Sequence, residues 1–164
     1  MFRSLFGALV GYALMVVLVS LYMVLAFVAP SFVFVPGKLE TTLAWSVMAL
    51  VLCVPTGMAG GWVARRIDRG GVRAATWLVT AILVVGYSCA TMTLVREQKA
   101  GGGEPQVTAA QVDAMPLEER ASRCKEPVWF SLLAPLLGAL GGAIGGGIFR
   151  RTQGSVTPER SSAV

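Results

Sequence analysis

The sequence predicts an all-α polytopic membrane protein: four transmembrane helices arranged as two tandem, duplicated helical hairpins. Three observations predict it. Only 14% of the 164 residues are charged, against about 25% in an ordinary soluble domain. The mean hydropathy is +0.68. The charges that exist gather in a few stretches and leave four long runs with none.

Each run is long enough to span. A hydrocarbon core about 30 Å thick takes around 20 apolar helical residues. The expected spans are 4–29, 42–64, 74–95 and 128–149, and none contains Asp, Glu, Lys, Arg or His. One charged side chain at a helix centre would oppose insertion by roughly 2.5–3.5 kcal/mol, so charge-free runs of this length point to bilayer-crossing helices. The first run exceeds the 7–15 residues of a signal-peptide core. It reads as a retained span, although Arg3 precedes it and Pro30 follows it.

Orientation follows from the basic residues. Arg65, Arg66, Arg69 and Arg73 crowd the turn between spans two and three, with Asp68 as its one acid. Arg150 and Arg151 open a tail over 150–164, and Arg3 precedes span one. The loop between spans one and two carries only Lys38 against Glu40. The positive-inside bias therefore places both termini in the cytoplasm and the 96–127 loop outside. That loop holds five basic residues and six acids, and its length weakens its influence on topology. The high Arg-to-Lys ratio and the abundance of Ala, Gly and Val suggest a GC-rich bacterial genome, so the expected location is a bacterial cytoplasmic membrane. Trp45, Trp62, Trp77 and Trp129 all fall near span ends, where an apolar ring with a polar N–H suits the interface.

Spans two and four align at an offset of 85 residues without a gap. Gly60-Gly61-Trp62-Val63-Ala64-Arg65-Arg66 falls on Gly145-Gly146-Gly147-Ile148-Phe149-Arg150-Arg151, and Ser46, Ala49 and Gly57 fall on Ser131, Ala134 and Gly142. In both spans small residues recur every four positions: Ala49, Cys53, Gly57 and Gly61, then Ala134, Gly138, Gly142 and Gly146. Residues four apart share a helix face, and a face of Gly and Ala lets another backbone approach closely. Gly7 and Gly11 form a GxxxG pair on span one; Gly86 and Ala90 form a weaker one on span three. These residues are the expected helix-packing positions. Self-association and a Gly-lined water path are the competing uses. Pro55 and Pro135 lie inside their spans, where each removes a backbone donor and bends the helix.

In the 96–127 loop, Gly101-Gly102-Gly103 and Pro105 read as linker. Thr108 is placed to cap a short helix through Met115, and Pro116 suits the first position of a second, with Glu118 and Glu119 in its opening turn. Pro127 stops that helix before span four. The segment reads as an amphipathic connector or as a docking site for a partner.

The function classes narrow by exclusion. Histidine is absent, which removes the commonest metal ligand and the commonest general base. Cys53, Cys89 and Cys124 form no CxxC motif. No catalytic, cofactor-binding or metal residue is expected, and the basic balance belongs to membrane topology rather than to nucleic acid. The expected partners are the lipid bilayer and other membrane proteins or a second copy. The expected role is that of a non-enzymatic accessory or assembly subunit, or a self-associating helix-packing module. The alternative is a small channel or transporter for an uncharged solute, lined by Ser20, Thr80, Ser88, Thr91 and Thr93.

Overall fold

The computed structural model describes residues 1–100 and 108–149, without the side chains of 25–27 and 96–100. Four helices are long and apolar enough to cross a membrane: α1 (Phe2–Val28), α3 (Leu43–Ile67), α4 (Arg73–Ala100) and α7 (Val128–Gly145). Three short ones, α2 (Pro30–Val33), α5 (Ala109–Ala114) and α6 (Leu117–Arg123), lie in the connections. Among the described residues, extended pairing is limited to two isolated bridges, Phe34 with Thr41 and Glu40 with Lys125. The fold is an all-α polytopic bundle.

The long helices form because an apolar medium offers backbone N–H and C=O groups no partners except one another. Hydroxyls in the spans bond back to their own helix: Thr80 donates to the Thr76 carbonyl, Thr91 to Tyr87 and Thr93 to Cys89. α3 is opened by Thr42, whose side-chain oxygen accepts from the Trp45 amide at 3.2 Å. Its N-terminus therefore begins within one residue of the expected 42.

Neighbouring helices pack through glycines. α1 runs antiparallel to α3, with Gly7 facing the Ala64 carbonyl and Gly11 facing that of Gly60. α4 runs antiparallel to α7, and a Cβ added at Gly86 would meet the Pro135 ring at 2.7 Å. α3 and α7 run parallel and touch backbone to backbone. The buried centre is small-sided: Ala8, Ala64, Ala74, Leu78, Ile82 and Ala139, with Tyr12, Met15, Val79 and Leu83 against them.

Span four is shorter than the 128–149 expectation. α7 ends at Gly145, and 18 residues rise about 27 Å. The stop is a Schellman motif: Ile148 donates to the Ala143 carbonyl, Gly147 donates to that of Ile144, and Gly147 sits at φ +70°. α3 ends in the same geometry further along its sequence. Gly70 donates to Arg65 and Arg69 donates to Arg66, with Arg69 at φ 53°. Thus α3 stays helical through Trp62–Arg66, while the aligned stretch from Gly145 turns. Gly147 stands where α3 has Trp62, and glycine takes positive φ without steric opposition.

The prolines behave differently from one another. Pro55 is exposed, whereas Pro135 is buried and seated on Gly86. Thr56, the neighbour of Pro55, bonds across to the Tyr22 hydroxyl of α1 at 3.1 Å. Trp45 also departs from the interfacial pattern. It is 6% exposed and meets Phe32 edge-on at 6.4 Å, inside a cluster with Val33 and Phe34.

Candidate functional site

The small-residue faces bring α3 and α7 together backbone against backbone. A Cβ at Gly57 would overlap the Gly138 carbonyl oxygen and lie 2.9 Å from the Gly142 nitrogen. One turn on, Gly61 stands the same way against the Gly142 carbonyl and the Gly146 nitrogen. From the other side, Gly141 presses on the Val54 carbonyl and Gly145 on that of Met58. Gly138 and Gly142 also face α4, where a Cβ would reach Ile82 at 3.6 Å in both cases. Gly146 is closed by the Ala75 methyl. Ala49, Cys53 and Ala134 are half-buried, further along the same helices.

Three further glycines lie outside the two aligned stripes: Gly141 and Gly145 face α3, and Gly60 faces Gly11 and Met15 of α1. They fall one position off the aligned stripes, so a single helical face cannot contain both sets. Runs of adjacent glycines, as in Gly60-Gly61 and Gly145-Gly146-Gly147, were the available signal: they let one helix meet two neighbours.

The end of the bundle near the 67–72 turn is basic. Arg65, Arg66 and Arg69, with Trp62 and Gly70, line an open cleft of about 370 Å³. The Arg65 guanidinium packs against Gly147, where a Cβ would collide with it. Arg66 lies over the Trp62 ring at 5.0 Å from its centroid. Arg69 is held in the left-handed region by the Schellman turn. Asp68, the acid of this turn, points elsewhere: its carboxylate accepts from the Ser4 hydroxyl at 2.9 Å and from the Ala74 amide at 3.2 Å. That second bond caps the start of α4. Arg73 is exposed at the start of α4. Arg150 and Arg151 lie outside the described residues.

Compared with known proteins, the chain matches no family model, no curated protein and no solved structure.

The opposite end carries a cap built on Arg120. Its Nη2 donates to the Val35 carbonyl at 2.8 Å and to that of Lys38 at 3.4 Å, and Nη1 stands 3.6 Å from Asp113. The guanidinium also lies over the Phe34 ring at 5.3 Å. Asp113 accepts from the Gly37 amide at 2.9 Å, and Lys125 donates to the Leu39 carbonyl at 2.9 Å. Arg120 thus joins the two loops at this end. Sequence pattern alone does not show this role, because the carbonyl partners of Arg120 lie more than eighty residues away along the chain.

The connector helices depart slightly from expectation. α5 covers Ala109–Ala114 after Thr108, whose amide donates to the Gln111 side chain at 2.9 Å. Pro116 is the cap of α6 rather than its first residue. Arg123 closes α6 through an ion pair with Glu119 at 2.9 Å.

Beneath this cap, Phe34, Trp45, Leu117, Cys124 and Glu126 border a cleft of about 160 Å³. Burial pushes the Cys124 thiol up to about 11; Glu126 adds to the rise, and Arg120 only partly opposes it. Although Glu126 is exposed as a residue, desolvation raises its carboxyl above the usual range. A thiol so raised is protonated near neutral pH and is a poor nucleophile.

Ser20, Thr80, Ser88, Thr91 and Thr93 all lie on the outer surface of the bundle. They do not converge on an interior path within one chain.

Proposed function

We propose that this chain is a non-enzymatic accessory or assembly subunit of a membrane complex. It sits in a bacterial cytoplasmic membrane with both termini and the 65–73 turn on the cytoplasmic side. Its two hairpins descend from a duplication, and its Gly and Ala faces act as an intramolecular glycine zipper.

The observation that carries this reading is the α3–α7 seam. Gly57, Gly61, Gly141 and Gly145 bring backbone against backbone, so these surfaces are occupied within the chain and hold it as a fixed scaffold. In the seam, the pairs Gly57/Gly142 and Gly61/Gly146 are in contact, and their spacing equals the repeat offset. The arginine-rich turn supports the orientation. A partner therefore engages lipid-facing or capping surfaces rather than the glycine stripe.

Purification from native membranes in mild detergent, with the mass of the intact assembly measured, tests the reading. The expected result is recovery in a fixed ratio with another membrane polypeptide. A chain recovered alone that conducts an uncharged solute into liposomes supports the channel alternative and ends the subunit reading.

A further inference from the structure

We propose that the cleft at the arginine-rich end of α3 binds the headgroup phosphate of an anionic phospholipid, with an acyl chain laid along the outer face of that helix.

The donors are Arg65, Arg66 and Arg69, which line the cleft with Trp62 and Gly70. Guanidinium groups offer paired N–H donors that match phosphate oxygens. Among the described residues these three arginines make no ion pair with an acid. Asp68, one residue from Arg69, directs its carboxylate to Ser4 and to the α4 N-terminus instead. The positive charge of the cleft is therefore left for a ligand.

Two of the arginines make contacts within the chain that leave their N–H donors available. Arg65 packs on Gly147 and Arg66 on the Trp62 ring. The third carries strain. Arg69 sits at φ 53°, and the next residue, Gly70, also has positive φ. A non-glycine side chain in the left-handed region is uncommon, and such positions cluster where function requires the side chain.

A lipid, rather than a free anion, follows from the surface that leads to the cleft. Val51, Pro55, Met58, Trp62 and Arg66 are all exposed and share one face of α3. This apolar track ends on the guanidinium of Arg66 at the boundary of the span. A phosphate in the cleft stands where a headgroup lies when its chain follows the track. Basic pockets beside transmembrane helices bind anionic headgroups in this way.

The test is native mass spectrometry of the full chain in neutral detergent, supplied in separate arms with phosphatidylglycerol, phosphatidylcholine or inorganic phosphate. The expected result is preferential retention of phosphatidylglycerol, with about tenfold lower occupancy in the Arg66→Gln/Arg69→Gly variant. Glycine accepts the backbone angle at position 69, so this variant keeps the turn, and an unchanged thermal melt shows that the fold remains. Met58→Asp interrupts the track without touching the arginines and is expected to lower lipid retention alone. Equal retention of both lipids, or an unaffected double variant, overturns the proposal. Binding of inorganic phosphate as strong as that of the lipid overturns the assignment to a lipid.

Discussion

Gly57 of α3 stands directly against the main-chain carbonyl of Gly138 on α7, with no side chain between the two helices. The relationship is one-sided. A Cβ at Gly57 would overlap that oxygen, while one at Gly138 would meet only Ile82 at 3.6 Å and Met15 at 4.0 Å. Both helices have glycine at the contact, yet only α3 requires it there.

The first prediction follows from that asymmetry. Gly57→Ala should destabilise the bundle by about 1–3 kcal/mol, the usual result of forcing a methyl into a full interface. Gly138→Ala should be neutral or should stabilise, because alanine favours the helix by up to about 1 kcal/mol over glycine. Reversible unfolding in mixed micelles measures both. Equal effects at the two positions would show that α3 and α7 do not meet in this register.

A second ranking concerns α7 alone. Gly141 presses on the Val54 carbonyl, whereas a Cβ at Gly142 would be 3.4 Å from Val79 and 3.8 Å from the Gly57 oxygen. Gly141→Ala is expected to lose at least 1 kcal/mol more stability than Gly142→Ala. The same unfolding assay reads the order, and the reverse order would contradict the packing.

Arg120 should be sensitive even to lysine. Its side chain is 14% exposed and bonds two carbonyls while stacking on Phe34. A lysine ammonium is a point charge that cannot reproduce that planar fork. Arg120→Lys should destabilise the cap by about 1–3 kcal/mol, the range for a buried hydrogen-bonding group left unpaired. Hydrogen exchange should accelerate over residues 35–41 and 117–125 while the centres of α3 and α7 keep their protection. Unchanged exchange in the cap would remove Arg120 from its role as the clasp.

Cys124 should be a slow thiol. Only the thiolate reacts, and a rise of the pKa from 9.0 to about 11 lowers the thiolate fraction at pH 8 by about 100-fold. Its reaction with a maleimide should therefore quicken with pH throughout the range up to about 11 rather than level off near 9. A rate at pH 8 equal to that of a free peptide thiol would contradict the buried setting.

That slowness bears on topology. In a chain with its three native cysteines replaced by alanine, Ala114→Cys presents an exposed thiol on α5. A membrane-impermeant reagent should label it in intact cells. Labelling only after the membrane is opened would place this cap in the cytoplasm.

The number and approximate limits of the membrane-crossing helices were legible in the sequence, because each depends on local apolar length and absence of charge. The 42–64 expectation and α3, from Leu43, agree at the start for that reason. The far ends were less legible. Whether Gly147 continues a helix or turns at φ +70° depends on what packs beside it, and Arg65 of another helix is there.

The candidate sites divide the same way. Periodicity picked out Gly57 and Gly61, but not Gly60, Gly141 or Gly145, since one sequence stripe describes one face and these helices each meet two neighbours. The arginines of the 65–73 turn were visible as a charge cluster; that Asp68 turns to Ser4 and α4, leaving their charge uncompensated, was not. By itself the sequence determined four apolar spans and where their charges fall, since transfer into a bilayer depends on each segment alone. Only the tertiary structure decided which glycine faces which carbonyl, how Arg120 clasps two distant loops and how three arginines share one cleft, because those depend on the register and rotation of one helix against another.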